Sequence, residues 1–235
     1  MTGRDVLHKY DIRPKKMALG SVYGGWTIAP EELKADSTVY SFGVGNDISF
    51  DLELISRFGL KVHGFDPSPE SIAWIAGQKL PPQYTFHPYG LGVADGGQTF
   101  FAPSKGGMYS QRQELKGASA ARIVLPTKRL ATIIRCIGTR CIDVLKMDIE
   151  GAEYGVLSDL IECSASIRQL LVEFHHRAGI ESLEKTVESV NRLKSAGFQL
   201  FHVSETSSEF SFLQSSAEWD SSKREHRRDR EGLLI

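Results

Sequence analysis

The sequence predicts an α/β fold: a Rossmann-like, doubly wound, mostly parallel sheet of seven strands with a C-terminal antiparallel hairpin strand. Three observations support this fold class. Strand and helix patterns alternate along the chain, a glycine corner joins the first strand to the first helix, and the last two strands have no helix between them. With 235 residues and 41% hydrophobic content, the chain can bury one sizeable core.

The first strand–helix–strand unit lies in "VYSFGVGNDISFDLELI" and "LKVHGF". A short β-rich strand is predicted at 38–42, a helix at 47–58 and a second strand at 60–65. The helix face expected to be buried consists of Ile48, Leu52, Ile55 and Phe58.

The remaining elements continue the alternation. Helices are predicted at 69–77, 127–137, 152–162 and 181–196. Strands are predicted at 83–89, 98–102, 142–148, 167–174, 198–204 and 210–214. The polar link at 204–209 is too short for the crossover that a parallel pair needs, so the last two strands should form an antiparallel hairpin.

The sequence divides into a lead segment at 1–34, one domain at 35–214 and a polar tail at 215–235 that is expected to be disordered. Residues 92–121 are rich in Gly, Ser and Ala and form the longest irregular stretch. Such stretches are lids over a site or disordered loops.

Composition excludes some partners. The net charge of −1 offers no field for nucleic acid or an anionic membrane, and no run reaches the roughly 20 apolar residues of a membrane span. The three cysteines are odd in number and have no C-x-x-C spacing, which suits a reducing compartment better than a disulfide framework. We therefore expect a cytoplasmic protein, although an anchor upstream of this chain would not be visible, and the sequence predicts no oligomeric state.

The glycine corner predicts a nucleotide-like ligand. Gly43 and Gly45 let the backbone approach a ligand where the first strand turns into a helix. Asp66 follows the next strand, 23 residues after Gly43, where an acid can accept hydrogen bonds from ribose hydroxyls. The position of the third glycine of the dinucleotide fingerprint is Ile48.

Nicotinamide nucleotides and S-adenosylmethionine both satisfy this pattern. The missing third glycine, the acid Asp47 at the start of the helix and the closing hairpin favour S-adenosylmethionine, and Asp47 is therefore also predicted to bind the cofactor. A closing hairpin of this kind resembles the class I methyltransferase fold rather than that of dehydrogenases.

A second group of polar residues lies in "VLKMDIEGAEYGVL". Asp148 ends the central apolar strand and should face the same crevice as the glycine corner. Glu150 should share its face, and the two carboxylates could act as a base, bind a cation or hold the amino group of the donor. Glu153 is expected only to complement the N-terminus of the following helix.

The third group lies in "LLVEFHHR". Strand alternation places Glu173 and His175 on one face and His176 on the other. His175 could be the general base for an acceptor hydroxyl, a metal ligand with Asp148 and Glu173, or one half of a structural hydrogen-bonded pair.

The motifs "VYSFGVGNDISFDLELI", "VHGFDPSP", "FHPYGLG", "VLKMDIEGAEYGVL" and "LVEFHH" together resemble the FkbM-type methyltransferase family, in particular its eukaryotic methyltransferase-like branch. The resemblance runs from Tyr23 to Phe212. It implies a class I fold that uses S-adenosylmethionine, most often to methylate an oxygen of a small molecule or sugar. The cofactor-binding positions that it implies are Gly43, Gly45, Asp66, Tyr89, Gly90, Leu91 and Asp148.

Many relatives have Glu where this chain has Asp66, which keeps the ribose role but shortens the reach. "YGGW" at 23–26 is also typical of this branch and could flank the donor, but we favour packing on the first strand.

We therefore predict an S-adenosylmethionine-dependent methyltransferase that acts on a hydroxyl of a small molecule or carbohydrate. His175, Asp148 and Glu173 are the predicted catalytic residues, segment 92–121 should lie near the acceptor, and no metal is assigned. The alternatives are a non-catalytic cofactor-binding domain, a metal-dependent hydrolase built on the same acids, and a nicotinamide-dependent oxidoreductase, which would need a Tyr-Lys or His-Asp set that we cannot place.

Overall fold

The computed structural model describes residues 9–31, 33–101, 121–139, 141–176 and 181–215. Residues 102–120 of the segment predicted to be a lid or a disordered loop lie outside this range. The predicted tail lies outside it too, from residue 216 onward.

The described chain alternates strands and helices. The strands are β1 Met17–Leu19, β2 Trp26–Ile28, β3 Thr38–Phe42, β4 Lys61–Phe65, β5 Tyr84–His87, β6 Gly90–Leu91, β7 Gly96–Phe101, β8 Arg122–Lys128, β9 Ile142–Met147, β10 Ile167–Glu173, β11 Phe198–Val203 and β12 Glu209–Gln214. The helices are α1 Ser49–Phe58, α2 Pro69–Ala76, α3 Leu130–Ile137, α4 Glu153–Glu162 and α5 Leu183–Ser195, with a 3-10 turn at Ser164–Ser166.

Seven strands form the central sheet, in the order β11-β12-β10-β9-β3-β4-β5. The neighbours from β10 to β5 pair in parallel, whereas β12 lies antiparallel between β10 and β11. The predicted mostly parallel sheet and its closing hairpin are therefore confirmed. The chain crosses from one side of β3 to the other, so a crevice opens beyond the carboxyl ends of β3 and β9.

Apolar side chains fill both faces of this sheet. One cluster contains Phe42, Met147 and Phe174, and the other contains Val39 and Leu54, all fully buried. Each such side chain contributes about 1.5–3 kcal/mol by leaving water. Central strands buried on both faces hold the strand ends, and hence the crevice, in fixed positions.

The first helix differs from its prediction. It begins at Ser49, and the predicted Ile48 and Ile55 are buried together with Phe50 and Leu54. The predicted Leu52 and Phe58 are only partly buried. The lead segment explains the shift, because β1 packs on α1 and Gly20 donates its N–H to Glu53.

The predicted helix at 127–137 was wrong at its start. Residues 122–128 form β8, which pairs with β7 antiparallel and with β6 in parallel in a separate three-stranded sheet, and α3 begins at Leu130. Pro126 concealed this strand, since proline is depleted in strands. The predicted strand at 98–102 is found as β7.

Hydrogen bonds attach the lead segment to the central sheet. The side chain of Gln169 accepts the N–H of Ala29 and donates to its carbonyl, and Ser211 donates to the carbonyl of Thr27. Within the described ranges, none of the helices combines the length and the apolar character needed to cross a membrane.

Candidate functional site

The turn after β3 requires glycine at both predicted positions. Gly43 has φ +78° and Gly45 has φ +55°, in the left-handed region that favours glycine. A Cβ on Gly43 would collide with the carbonyl oxygen of Asp148. The ends of β3 and β9 thus touch backbone to backbone, which leaves the space in front of the turn open.

Asp66 is tied to this turn. Its Oδ2 accepts the Gly45 N–H at 2.9 Å, and its Oδ1 accepts the N–H and hydroxyl of Ser68 at 2.9 and 2.6 Å. Ser68 is also the N-cap of α2. The carboxylate is therefore fixed at the carboxyl end of β4, and only 7% of the residue is exposed.

A first cavity of about 470 Å³ opens beside this carboxylate. Its volume lies within the roughly 300–1,000 Å³ typical of ligand pockets. The glycine turn and the acids Asp66, Asp148 and Glu150 lie along its wall. Its apolar lining includes Phe65, Pro67, Trp74, Leu91, Phe100, Ile149 and Ala152.

A second cavity of about 350 Å³ adjoins the first. Residues shared by both linings are Tyr23, Gly43, Gly45, Asn46, Asp148 and Glu150. Those that line the second cavity alone include Trp26, Asp47, Lys146, Glu173, His175, Thr206 and Glu209. The two spaces therefore meet at the glycine turn, and the second is rich in ionisable groups.

His175 lies at the centre of an acidic cluster, which we define as Asp148, Glu150, Glu153, Glu173 and Glu209. Its Nδ1 is 2.9 Å from Oε1 of Glu153, and its Nε2 is 3.6 Å from Asp148 and 3.4 Å from Glu150. His176 contacts Thr186 instead, so the two histidines separate as strand alternation predicted.

Glu153 does more than complement a helix N-terminus. It is fully buried, and its Oε1 accepts the N–H groups of Ile149 and Gly151 as well as contacting His175. Glu150 lies in the same turn with φ +54°, a left-handed conformation that costs a non-glycine residue about 1–3 kcal/mol. The turn is held in this shape by Glu153.

Burial and charge shift the pKa values of the cluster. Burial raises the pKa of the Asp148 carboxyl, and it raises the pKa of Glu150 to about 7 and that of Glu173 to about 8. The charge of His175 partly offsets each of these rises. Burial alone would lower the pKa of His175, but its hydrogen bond with Glu153 and the surrounding carboxylates raise it to about 10. His175 therefore carries a proton at neutral pH, and the base role predicted for it requires prior neutralisation of these carboxylates.

Most predicted cofactor residues meet at the first cavity, but two do not line it. Gly90 and Leu91 contribute to its wall. Tyr89 instead packs beside Phe65 under the ammonium group of Lys128. Asp47 lines the second cavity, and its carboxylate accepts the Ser49 N–H and the Ser21 hydroxyl.

The structure adds residues that sequence reasoning did not select. Trp74 lines the first cavity from α2. The one feature of the sequence that could have indicated this role is its place in the helix that follows Asp66. Lys146, which donates to the Gly43 carbonyl, lies within a strand whose other residues are mostly apolar, so its sequence position gave no signal. Glu209 reaches the second cavity because the hairpin places it opposite Glu173. From "YGGW", Trp26 packs in the apolar cluster of β3, whereas Tyr23 lines both cavities.

The sheet order, the closing hairpin and a cavity at the first glycine turn define a Rossmann-like fold of the methyltransferase type. The model of the methyltransferase FkbM domain matches residues 8–200. The chain therefore belongs to the FkbM methyltransferase family.

Two relatives carry the name probable methyltransferase-like protein 24, one from Rattus norvegicus and one from Homo sapiens. Each is 29% identical over 70% of this chain, and the chain spans 42% of the length of each relative. Among solved structures, a fibrillarin pre-rRNA processing protein from Methanococcus jannaschii has a TM-score of 0.48 at 12% identity, covering 89% of this chain and 86% of that one.

Proposed function

We propose that the chain uses S-adenosylmethionine, bound in the first cavity, to methylate a hydroxyl of a small molecule or sugar bound in the second cavity. The observation that carries this proposal is the junction of the two cavities at Gly43, Gly45, Asp148 and Glu150. A donor on one side and an acceptor on the other would meet there.

The residues of the first cavity fit the cofactor. Asp66 keeps lone pairs beyond its three intramolecular hydrogen bonds, and these can accept from ribose hydroxyls. Trp74, Leu91 and Phe100 offer apolar contacts to a purine ring. Oδ1 of Asp148 is buried without a hydrogen bond in the described chain, and it can accept one from the ammonium group of the donor.

S-adenosylmethionine supplies a methyl group activated by its sulfonium, and the acceptor oxygen takes this methyl while the C–S bond electrons return to sulfur. The protein's task is then to place the acceptor in line and to exclude water. Asp148, Glu173 and His175 form the wall against which an acceptor hydroxyl would lie. Glu150, at the junction, is positioned to receive the hydroxyl proton.

The rival functions make different demands. A nicotinamide-dependent enzyme would place a pyrophosphate on a third glycine, and that position is the buried Ile48. A hydrolase would use the acidic cluster without any need for the first cavity. A binding domain without catalysis would fill the first cavity but transfer nothing.

Calorimetry followed by a transfer assay tests the proposal. S-adenosylhomocysteine should bind with one site per chain and NAD should not, and S-adenosylmethionine carrying a tritiated methyl should label a small, extractable product in cell extract. Binding without labelling would support the non-catalytic alternative. Preference for NAD, or the absence of any binding, would contradict the proposal.

A further inference from the structure

The second cavity contains a set of side chains with the geometry of a metal site. Asp148, Glu173 and His175 each offer one ligand atom, and the three atoms lie within 4.8 Å of one another. They follow or end the neighbouring strands β9 and β10, whose parallel pairing fixes their spacing. Ligands of one ion at bonds of about 2.0–2.2 Å lie at most about 4.4 Å apart, so small side-chain movements would suffice.

The orientation of His175 supports a ligand role. Oε1 of Glu153 lies 2.9 Å from its Nδ1, and two backbone N–H groups and complete burial fix Glu153. Nε2 of His175 points toward Asp148 and Glu150, and a cation bound there would displace the Nε2 proton to solvent. Metal-binding histidines commonly have their second nitrogen held by a carboxylate in this way.

The carboxyl groups around these three side chains also favour a bound cation. Glu173 lies directly opposite Glu209 in the β10–β12 pair, so two carboxyl groups lie side by side on the cavity wall, where one cation could contact both. Lys146 also lines this cavity, and its ammonium group donates to the Gly43 carbonyl and acts electrostatically on Asp148 and Glu150. Oε2 of the fully buried Glu153 has no hydrogen bond within the described residues.

We propose that Asp148, Glu173 and His175 bind a divalent cation such as Mg²⁺ or Mn²⁺ and that this cation holds the acceptor hydroxyl at the junction of the cavities. Two carboxylates and one imidazole suit these ions. The three protein ligands leave open positions for an acceptor with two adjacent oxygens, such as a vicinal diol. Its role in methyl transfer rests on the proposed function, but the metal site itself does not.

The test is a titration of the full chain with Mn²⁺ alone, in which electron paramagnetic resonance measures the concentration of unbound ion. The native protein should bind one Mn²⁺. Asp148→Asn and Glu173→Gln, which remove ligand charges without changing side-chain size, should each weaken binding at least about tenfold. Glu188→Gln, on the exposed face of α5, removes the same charge and should leave the affinity unchanged.

Glu153→Gln is a second variant that tests positioning rather than ligation. It should weaken Mn²⁺ binding about 10- to 100-fold, because His175 loses the carboxylate that orients it. Circular dichroism and thermal melting of each variant establish that the fold is retained. Equal Mn²⁺ affinity in native protein and Glu173→Gln, or no binding up to about 1 mM, a very weak affinity, would overturn the proposal.

A parallel titration with S-adenosylhomocysteine separates the two proposals. Binding of the nucleoside with no binding of Mn²⁺ would refute the metal site and leave the proposed function intact. Binding of Mn²⁺ with no binding of the nucleoside would support the metal site and contradict the proposed function.

Discussion

Replacement of Gly43 by alanine should destabilise the protein more than the same replacement at Gly138. Both glycines have nearly the same backbone angle, φ +78° and φ +76°. A Cβ at Gly138, which ends α3, would meet nothing within 4 Å, whereas one at Gly43 would overlap the Asp148 carbonyl oxygen. The difference between the two variants therefore isolates the contact between the ends of β3 and β9.

The magnitude follows from two contributions. The left-handed conformation costs alanine about 1–2 kcal/mol at either site. The overlap at Gly43 forces the β3 and β9 ends apart and adds about 1–3 kcal/mol. For a chain of this size, each kcal/mol lowers the melting temperature by about 2–4 °C.

Differential scanning calorimetry should therefore place the Gly43→Ala transition about 2–12 °C below that of Gly138→Ala. Calorimetric titration should show weaker S-adenosylhomocysteine binding only for Gly43→Ala, because the moved strand ends line both cavities. Equal melting temperatures for the two variants would refute the close approach of these strands.

Three further outcomes are expected. Asp66→Asn should weaken S-adenosylhomocysteine binding about 10- to 150-fold, the loss expected for a hydrogen bond to a charged group, and unchanged affinity would exclude the ribose contact. Trp74→Ala should raise the calorimetric dissociation constant of the same nucleoside; if adenine does not lie against this ring, the constant will stay as in native protein. Burial, with the charges of His63 and Lys128, lowers the pKa of His87 from 6.5 to about 4, so stability should be lost as pH falls through that window. Between pH 7.5 and 5, urea unfolding should show that His87→Phe loses roughly 1 kcal/mol less free energy of unfolding than the native protein, a figure that allows for the partial exposure of His87. Identical losses in the two proteins would contradict the shift.

The central sheet could be predicted from sequence because its strands are short apolar runs separated by periodic helices. The link at 204–209 even gave the direction of the last strand, since it is too short for a crossover. The register of the lead segment and the small sheet around β8 could not be predicted. Both depend on long-range pairing, and Pro126 obscures the strand pattern locally.

The candidate site could be predicted at positions where a single physical requirement explains the type of residue found there. Gly43 requires a left-handed backbone, and Asp66 and Asp148 place charge at the ends of buried strands. The pairing of His175 with Glu153 was not predictable, because it depends on how the turn at Glu150 folds back. The pKa of His175 depends on that pairing, so its protonation state at neutral pH was hidden as well.

The most direct test of the proposed donor and acceptor cavities is a crystal structure of the complex with S-adenosylhomocysteine. The ribose hydroxyls should lie on the Asp66 carboxylate, and the sulfur should face the second cavity past Gly43. A nucleoside found in the second cavity, or one whose ribose lies away from Asp66, would contradict the account.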